Sequence, residues 1–235
     1  MNFLNSVLRA FFPERCPLCG RIIDLRERDC PTCRRDEIRI SDDFCHSCGY
    51  DRDRCICPEN SISLSHVTGV YIYSGLPKAK IRDFKFCGNK AQGKLLGDEM
   101  AFRISACFFN VDFDCVTFVP ISKNGLRERG YNQSEILAER VAKRLFLPCK
   151  SLLTKQNETF KQHELDAKHR LTNLRNAFAL TENADVKGKT VLLCDDVKTT
   201  GATLKECEGV LLRGGAKDVY CICIALSDYG DIFDL

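Results

Sequence analysis

Thr190-Val-Leu-Leu-Cys-Asp195-Asp196-Val-Lys-Thr199-Thr200-Gly201-Ala-Thr203-Leu204 is the stretch of sequence that decides the fold. The continuous apolar run Thr190–Asp195 predicts a strand that is buried on both faces. Two adjacent acids follow at its carboxyl end, which is where open α/β sheets bind their ligands. The loop then leads into a predicted helix, Thr203–Arg213, whose N terminus offers free amides and the positive end of a dipole. The stretch therefore predicts an anion cradle beside a pair of carboxylates.

The loop residues suit a phosphorylated sugar. Thr199, Thr200 and Thr203 offer hydroxyl donors, and Gly201 lets the backbone approach a ligand closely. Carboxylates accept hydrogen bonds from ribose hydroxyls, and Mg²⁺ could bridge hydroxyl and pyrophosphate oxygens. The plain alternative is a strand, turn and helix in which a threonine only caps the helix. A Walker A loop is excluded, because the chain contains no Gly-x-x-x-x-Gly-Lys-Thr/Ser.

Strands and helices alternate on either side of this stretch. The other predicted strands are His66–Tyr73, Cys115–Pro120 and Asp218–Ala225, and the other predicted helices are Pro77–Phe86, Ala91–Phe108 and Gln133–Phe146. This alternation predicts an α/β fold with an open parallel sheet flanked by helices. The composition changes near residue 60, and little before it resembles a core. We therefore predict two domains, a Cys-rich ribbon over residues 1–62 and the α/β domain over residues 63–235.

Cysteine is the most unusual component, with 16 in the chain. Two Cys-x-x-Cys turns supply the four sulfurs of a tetrahedral structural zinc site, with no position left open for catalysis. The ribbon holds four cysteine pairs, namely Cys16/Cys19, Cys30/Cys33, Cys45/Cys48 and the shorter Cys55/Cys57. We predict that these eight cysteines bind one or two structural zinc ions. Contiguous and interleaved pairing both remain open, and His46 is the alternative ligand in the second set.

Size, charge and hydropathy describe an ordinary globular chain. It has 235 residues, 44% hydrophobic and 29% charged, and a net charge of +3 that does not decide for or against nucleic acid. No apolar run approaches the roughly 20 residues that span a bilayer. Without an export signal we expect a reducing, cytoplasmic location, with the eight scattered cysteines buried as small hydrophobes. Apolar residues at helical spacing between Phe3 and Phe12 predict a short helix packed on the protein, or alternatively in contact with a membrane surface.

Together these motifs resemble a known family. Two acids followed by Thr-Gly-x-Thr form the signature of the type I phosphoribosyltransferase superfamily, and the chain is most similar to its ComF family (competence protein F). The resemblance covers nearly the whole chain, including the leading ribbon. Its most specific part is Arg127-Glu-Arg129-Gly-Tyr131-Asn132-Gln133. The chain departs from the family pattern at the shortened Cys55-Ile-Cys57 and at Ser122-Lys-Asn-Gly, which replaces a commoner His/Pro-containing stretch.

The resemblance implies a phosphoribosyltransferase-like sheet with a flexible loop over its site. It implies that Asp195 and Asp196 meet the ribose hydroxyls of phosphoribosyl pyrophosphate. It also implies that Val197–Thr203 wraps the 5′-phosphate and that Pro120–Arg129 lies near the pyrophosphate. ComF-like proteins are linked to uptake and handling of single-stranded DNA during natural transformation. Single-stranded DNA and DNA-uptake proteins are therefore implied as partners.

Phosphoribosyl transfer displaces pyrophosphate from ribose C1, so the leaving group must be stabilised by Mg²⁺ and by cationic side chains. The candidate cations are Lys123, Arg127 and Arg129, with Lys85 less favoured and a solvated basic face as the plain alternative. The stretch Lys155–Arg175 is either a mobile lid or a solvated helix. The predicted catalytic residues are Asp195, Asp196 and Arg129. The predicted substrate-binding residues are Lys123, Arg127, Val197, Thr199, Thr200, Gly201, Ala202 and Thr203.

Two functions are compatible with this sequence. One is a Mg²⁺-dependent phosphoribosyltransferase whose acceptor the sequence does not identify. The other is a non-catalytic module that handles single-stranded DNA with the same fold. The second would use the ribbon together with the basic tracts Lys123–Arg129 and Arg140–Arg144, with Tyr131 available for stacking on bases.

Overall fold

The computed structural model describes residues 15–16, 18–24, 27, 30–36, 39–55, 57, 63–156 and 177–227. The predicted helix between Phe3 and Phe12, and the predicted lid beyond residue 156, lie outside these residues. In chain order the elements are α1 (Pro31–Asp36), β1 (His66–Tyr73), α2 (Gly75–Phe86), α3 (Lys90–Cys107), β2 (Cys115–Phe118), α4 (Lys123–Arg129), α5 (Gln133–Leu145), β3 (Leu153–Lys155), β4 (Phe178–Leu180), β5 (Thr190–Lys198), α6 (Ala202–Arg213) and β6 (Asp218–Ser227). A single 3₁₀ turn, Arg52–Arg54, lies in the ribbon.

The central sheet has four parallel strands in the order β1-β6-β5-β2. Helices α3 and α5 pack on each other and on the sheet, while α6 packs on β4, β5 and β6. Residues Val191–Cys194 of β5 are completely buried, as the apolar run predicts for a central strand. The predicted parallel sheet flanked by helices is therefore confirmed. Strands β3 and β4 form a separate antiparallel pair.

Two strand ends differ from the sequence prediction. Strand β2 stops at Phe118, two residues earlier than predicted, while β5 continues past Asp195. The extension exists because Val197 and Lys198 pair with Ala225 and Leu226 of β6. The carboxyl end of β5 thus carries both acids on backbone that is held by its neighbour.

The ribbon contributes to the main core, contrary to the expectation from its composition. Leu18, Ile40, Phe44 and Tyr50 are buried in the same cluster as the sheet residues. Their apolar surface is covered by the sheet and its helices, so a segment with little core of its own is stabilised by docking. The Ile40 amide donates to the Val70 carbonyl (3.0 Å), which joins the ribbon to the edge of β1.

Cysteines outside the ribbon mostly behave as predicted. Cys115, Cys194, Cys207, Cys221 and Cys223 are buried in the core, whereas Cys107 and Cys149 are half-buried and Cys87 is exposed. In the part of the chain that the structure describes, no helix has both the length and the apolar character needed to cross a bilayer.

Candidate functional site

The acid pair is held by three elements at the carboxyl edge of the sheet. The Ser134 hydroxyl, in the first turn of α5, donates to Asp195 Oδ1 at 2.8 Å. The Asp196 amide donates to the same oxygen, also at 2.8 Å. Asn132 caps α5 by accepting from the Ser134 amide, and its side-chain amide donates to the Val119 carbonyl after β2. The family-specific stretch that ends in Asn132-Gln133 therefore delivers the Ser134 hydroxyl to Asp195.

Two neighbouring carboxylates in a partly enclosed site cannot both ionise freely. Burial, and then the charge of Asp196, raise the pKa of Asp195 to about 7, while the hydrogen bond from Ser134 opposes this rise. A carboxyl with this pKa changes protonation near neutral pH. Strongly shifted carboxyls of this kind concentrate at functional sites.

Lys85, at the carboxyl end of α2, reaches the acid pair directly. Its ammonium lies 2.9 Å from Asp196 Oδ1, and the two side chains are only 17% and 13% exposed. Burial alone would lower the pKa of Lys85, but the carboxylates of Asp196 and Asp195 outweigh it, so the net shift is upward. The cation that the sequence least favoured is thus the one that the structure brings to the acids.

The loop after β5 has the form of an anion cradle. Gly201 has φ +88°, a left-handed conformation that other residues rarely adopt, and helix α6 starts at the next residue. The Thr200 hydroxyl accepts from the Ala202 amide at 3.3 Å, and no side chain caps α6 from Gly201. In the plain alternative, a threonine does no more than cap the helix. The only contact of that kind among the described residues is this one long hydrogen bond from the Ala202 amide to Thr200. The positive end of the α6 helix dipole therefore faces the loop and is not neutralised there.

The predicted pyrophosphate cations lie on α4, the short helix after β2. Lys123, Arg127 and Arg129 are all exposed on it. Arg129 turns towards α2 and α5, where its guanidinium donates to Gln133 Oε1 (3.2 Å) and lies 5.5 Å from the centre of the Phe86 ring. The Gln133 amide in turn donates to the Lys85 carbonyl. Arg129 is thus connected to the acid pair through Gln133 and Lys85 rather than by a direct contact.

The second basic tract is largely engaged within the fold. Arg140 forms a two-pronged ion pair with Asp98 (2.6 and 2.7 Å), and Arg144 lies 2.6 Å from the same carboxylate. Tyr131 donates its hydroxyl to the Phe84 carbonyl and packs beside the Phe84 ring. These contacts join α3 to α5, and the segment that precedes α5 to α2, so the residues contribute to packing even if they also bind a ligand.

The eight ribbon cysteines form two clusters, each contiguous in sequence. Cys16, Cys19, Cys30 and Cys33 make one, and Cys45, Cys48, Cys55 and Cys57 make the other, with the sulfurs of each set within 4.8 Å of one another. Zn–S bonds of about 2.3 Å at tetrahedral angles place sulfurs about 3.8 Å apart. The observed Cys19–Cys30, Cys45–Cys57 and Cys48–Cys55 separations are 3.6, 3.6 and 3.8 Å. Both sets fit a structural zinc ion, and His46 belongs to neither.

At Cys30 the ribbon backbone favours the thiolate that zinc requires. The Cys33 amide donates to Cys30 Sγ at 3.4 Å, and this bond is the main cause that lowers the pKa of Cys30 to about 6. Gly20 and Gly49, which follow the second cysteine of a pair, have φ of +73° and +87°. Their amides donate to the carbonyls of Cys16 and Cys45, which closes each turn around its sulfurs. Local chain geometry thus preforms both sites.

Sequence reasoning missed three side chains at this end of the sheet. The position of Ser134 could have been predicted, because it lies in the first turn of its helix, two residues after the Asn that caps it. Lys155, placed only in the predicted lid, has its pKa lowered by burial, and Cys207 and then Asp195, both within electrostatic reach, oppose this shift. Lys198 was read as a loop residue, yet it is buried with its side chain against the ribbon residue Tyr50. No local pattern identifies the last two.

Comparison with known families agrees with this architecture. Residues 96–230 match the phosphoribosyl transferase domain family. The chain belongs to this family. Residues 7–62 match the double zinc ribbon domain, so a zinc ribbon precedes the phosphoribosyltransferase domain. The predicted membership of the ComF family and the phosphoribosyltransferase-like fold are thereby confirmed.

Named relatives are similar in the same way. The DNA utilization protein YhgH of Escherichia coli (strain K12) is 37% identical over 116 residues, which are 48% of this chain and 50% of that protein. The chain thus spans about half the length of this relative. Competence protein ComFC of Bacillus subtilis (strain 168) is 29% identical over 199 residues, 80% of each chain. Adenine phosphoribosyltransferase from Saccharomyces cerevisiae is 15% identical, with a TM-score of 0.42 over 63% of this chain and 76% of that chain.

Proposed function

We propose that this phosphoribosyltransferase domain binds phosphoribosyl pyrophosphate with Mg²⁺ and transfers its phosphoribosyl group during the handling of DNA that the cell takes up. The observation that carries the proposal is the acid pair beside the start of α6, where Gly201 provides no side-chain cap. Asp195 and Asp196 would accept from the ribose hydroxyls, and the backbone of Val197–Thr203 would hold the 5′-phosphate. Relatives named for competence and for DNA utilization support the cellular role.

The charges of the site suit an anionic leaving group. Mg²⁺, when bound, would neutralise pyrophosphate, and the carboxylate and hydroxyl oxygens here are ligands that it prefers. Lys123, Arg127 and Arg129 would meet the pyrophosphate from α4, while the ion pair with Lys85 would hold the Asp196 side chain in place. A pyrophosphate-release assay across nucleobases and amines would identify the acceptor, with release above the acceptor-free rate as the sign of transfer.

Affinity for phosphoribosyl pyrophosphate should rise with pH through neutrality. Asp195 is protonated below its pKa of about 7, and only its ionised form is a pure acceptor for ribose hydroxyls. Between pH 6 and pH 8 we expect a gain on the order of tenfold from this group. Ser134→Ala removes a bond that lowers this pKa, so the midpoint should move to higher pH. Isothermal titration calorimetry with Mg²⁺ at several pH values measures both effects.

The ligand's own phosphates also titrate in this range, so a matched control is needed. Asp195→Asn keeps the shape of the site but cannot titrate, and its residual pH dependence is that of the ligand. Equal midpoints for the wild type and Ser134→Ala, after this correction, would show that Asp195 does not control binding.

A second candidate function, binding of single-stranded DNA, is favoured by one surface feature. Phe86 is 66% exposed, with the Arg129 guanidinium over its ring, and Lys90 lies 5.3 Å from the centre of the Tyr131 ring. Exposed aromatic rings next to cations stack nucleobases and attract phosphates. Because Tyr131 is tied to α2, Phe86 is the better stacking residue.

If this surface binds DNA, affinity for an oligonucleotide should fall steeply with salt. Each phosphate that a Lys or Arg neutralises contributes about 0.7 to the logarithmic slope for single strands. Phe86→Ala should weaken binding by about 1–3 kcal/mol at constant slope, whereas Arg127→Gln should reduce the slope. Fluorescence anisotropy from 50 to about 200 mM salt measures both. A flat salt response would remove this candidate.

A further inference from the structure

Lys198 is a buried cation without a hydrogen-bond partner. It is the last residue of β5, where the candidate site's loop begins, but its side chain is turned away into the protein and is 2% exposed. Among the described residues, its ammonium is the buried polar side-chain atom that lacks any partner. A buried unpaired charge costs several kcal/mol, so a compensating anion is expected near it.

The side chain points at the ribbon. The ammonium lies 4.8 Å from the centre of the Tyr50 ring, and Tyr50 is completely buried, with its hydroxyl donating to the Ser227 carbonyl at 2.9 Å. A cation–π contact contributes roughly 2 kcal/mol when it is desolvated. That contribution is too small to compensate a buried ammonium, so Tyr50 forms one wall of the environment and another group must supply negative charge.

The second cysteine cluster is in the right place to supply it. Tyr50 follows Cys48 by two residues, and Cys223 of β6, then Cys48 and Cys57, are within electrostatic reach of Lys198. Four neutral thiols carry no charge, but four thiolates around Zn²⁺ carry a net charge of −2. Metal-bound thiolates also accept hydrogen bonds from nearby donors, and such partners tune metal affinity.

We propose that Lys198 is the counter-cation of the zinc tetrathiolate formed by Cys45, Cys48, Cys55 and Cys57. Zinc at this site then holds the end of β5, from which the loop Thr199–Thr203 departs. The ribbon thus has a role beyond its own folding, because it fixes one end of the loop that the domain presents at its candidate site. The Lys198 side chain acts here in positioning and makes no contact with a substrate.

Lys198→Met tests this role in the zinc-loaded full-length chain. The side chain keeps its length but loses its charge, so zinc should leave the second cluster about 10- to 100-fold more readily. Transfer of zinc to a colorimetric chelator gives the rate, and alkylation with mass spectrometry identifies the site. We expect early alkylation of Cys45, Cys48, Cys55 and Cys57, with continued protection of the first cluster.

Two controls separate charge from general damage. Lys198→Arg keeps the charge and should retain both zinc ions. Lys217→Met removes an exposed charge that precedes β6, at the opposite end of the sheet, and should release zinc as the wild type does. Neither readout involves phosphoribosyl pyrophosphate, so this proposal can fail while the proposed function stands, and the reverse.

The opposite outcome is equally clear. If Lys198 is only an uncompensated buried charge, Lys198→Met should raise the melting temperature and leave zinc release unchanged, which would overturn the proposal. If the Met variant does not fold, Lys198→Gln replaces it. Loss of folding in both neutral variants beside a folded Arg variant supports the requirement for charge, whereas loss in all three counts against it.

Discussion

Replacing Asp195 and Asp196 together by asparagine should reduce the affinity for phosphoribosyl pyrophosphate by about 100-fold or more. Each carboxylate would accept a charge-assisted hydrogen bond worth about 1.5–3 kcal/mol, and the two together amount to about 3–6 kcal/mol. A difference of 1.4 kcal/mol is tenfold in the dissociation constant. Calorimetry with Mg²⁺ at pH 8, where Asp195 is ionised, gives the largest difference between the wild type and the variant.

Asparagine preserves the size of both side chains and leaves the sheet pairing of β5 untouched. Asp112→Asn is a suitable control, since this exposed acid precedes β2 at the other edge of the sheet and should leave affinity unchanged. Lys85 loses its ion-pair partner in the double variant, so a thermal melt must show that it is folded. Unchanged affinity in a folded double variant would end the assignment of this ligand to the loop.

Arg103→Met should lower the free energy of unfolding by about 3–5 kcal/mol. The guanidinium on α3 donates to Thr68 Oγ1 (3.0 Å) on β1 and to the ribbon carbonyls of Ile40 (3.0 Å) and Ser41 (2.7 Å). It also lies 4.7 Å from the centre of the Phe44 ring. Methionine fills much of the volume but leaves the buried acceptors of Thr68 and Ile40 unsatisfied, each at a cost of about 1–3 kcal/mol, and also removes the donor to the partly buried Ser41 carbonyl.

Urea denaturation of the zinc-loaded chain measures this loss. Asp42 contributes little to it, because its carboxylate is 92% exposed and the ion pair with Arg103 is weakened by solvent. Arg213→Met, at an exposed position on α6, should change stability by no more than about 0.5 kcal/mol. A loss below about 1 kcal/mol in Arg103→Met would mean that the ribbon is held on the sheet by its other contacts and not by Arg103.

Hydrogen exchange would locate the effect of Arg103. We expect faster exchange at the Ile40 amide, which pairs with Val70, and little change in β5. Such a pattern would show that the ribbon opens as a separate unit docked through Arg103, and does not unfold together with the sheet.

The site residues could be predicted from sequence where they lie in one continuous segment. The acids, the threonines and Gly201 lie within nine residues from Asp195 to Thr203, and strand and helix periodicity place them at the end of a buried strand. Whether they bind the proposed ligand remains a prediction. Ser134 and Lys85 approach the acids from 61 and 111 positions away in sequence, so their roles follow only from packing of α5 and α2 against the sheet edge.

The ribbon likewise combines features that the sequence determines with features that only the tertiary structure decides. By itself the sequence determined that eight cysteines occur in pairs suited to zinc, because a Cys-x-x-Cys turn needs only local backbone geometry. The sequence also determined an alternation of strands and helices that permits an open parallel sheet. Only the tertiary structure decided that the pairs combine contiguously, that Arg103 docks the ribbon on β1, and that Lys198 turns from its loop towards the second cluster. Contacts of this kind depend on which distant surfaces exclude water together, and no local spacing or periodicity encodes that choice.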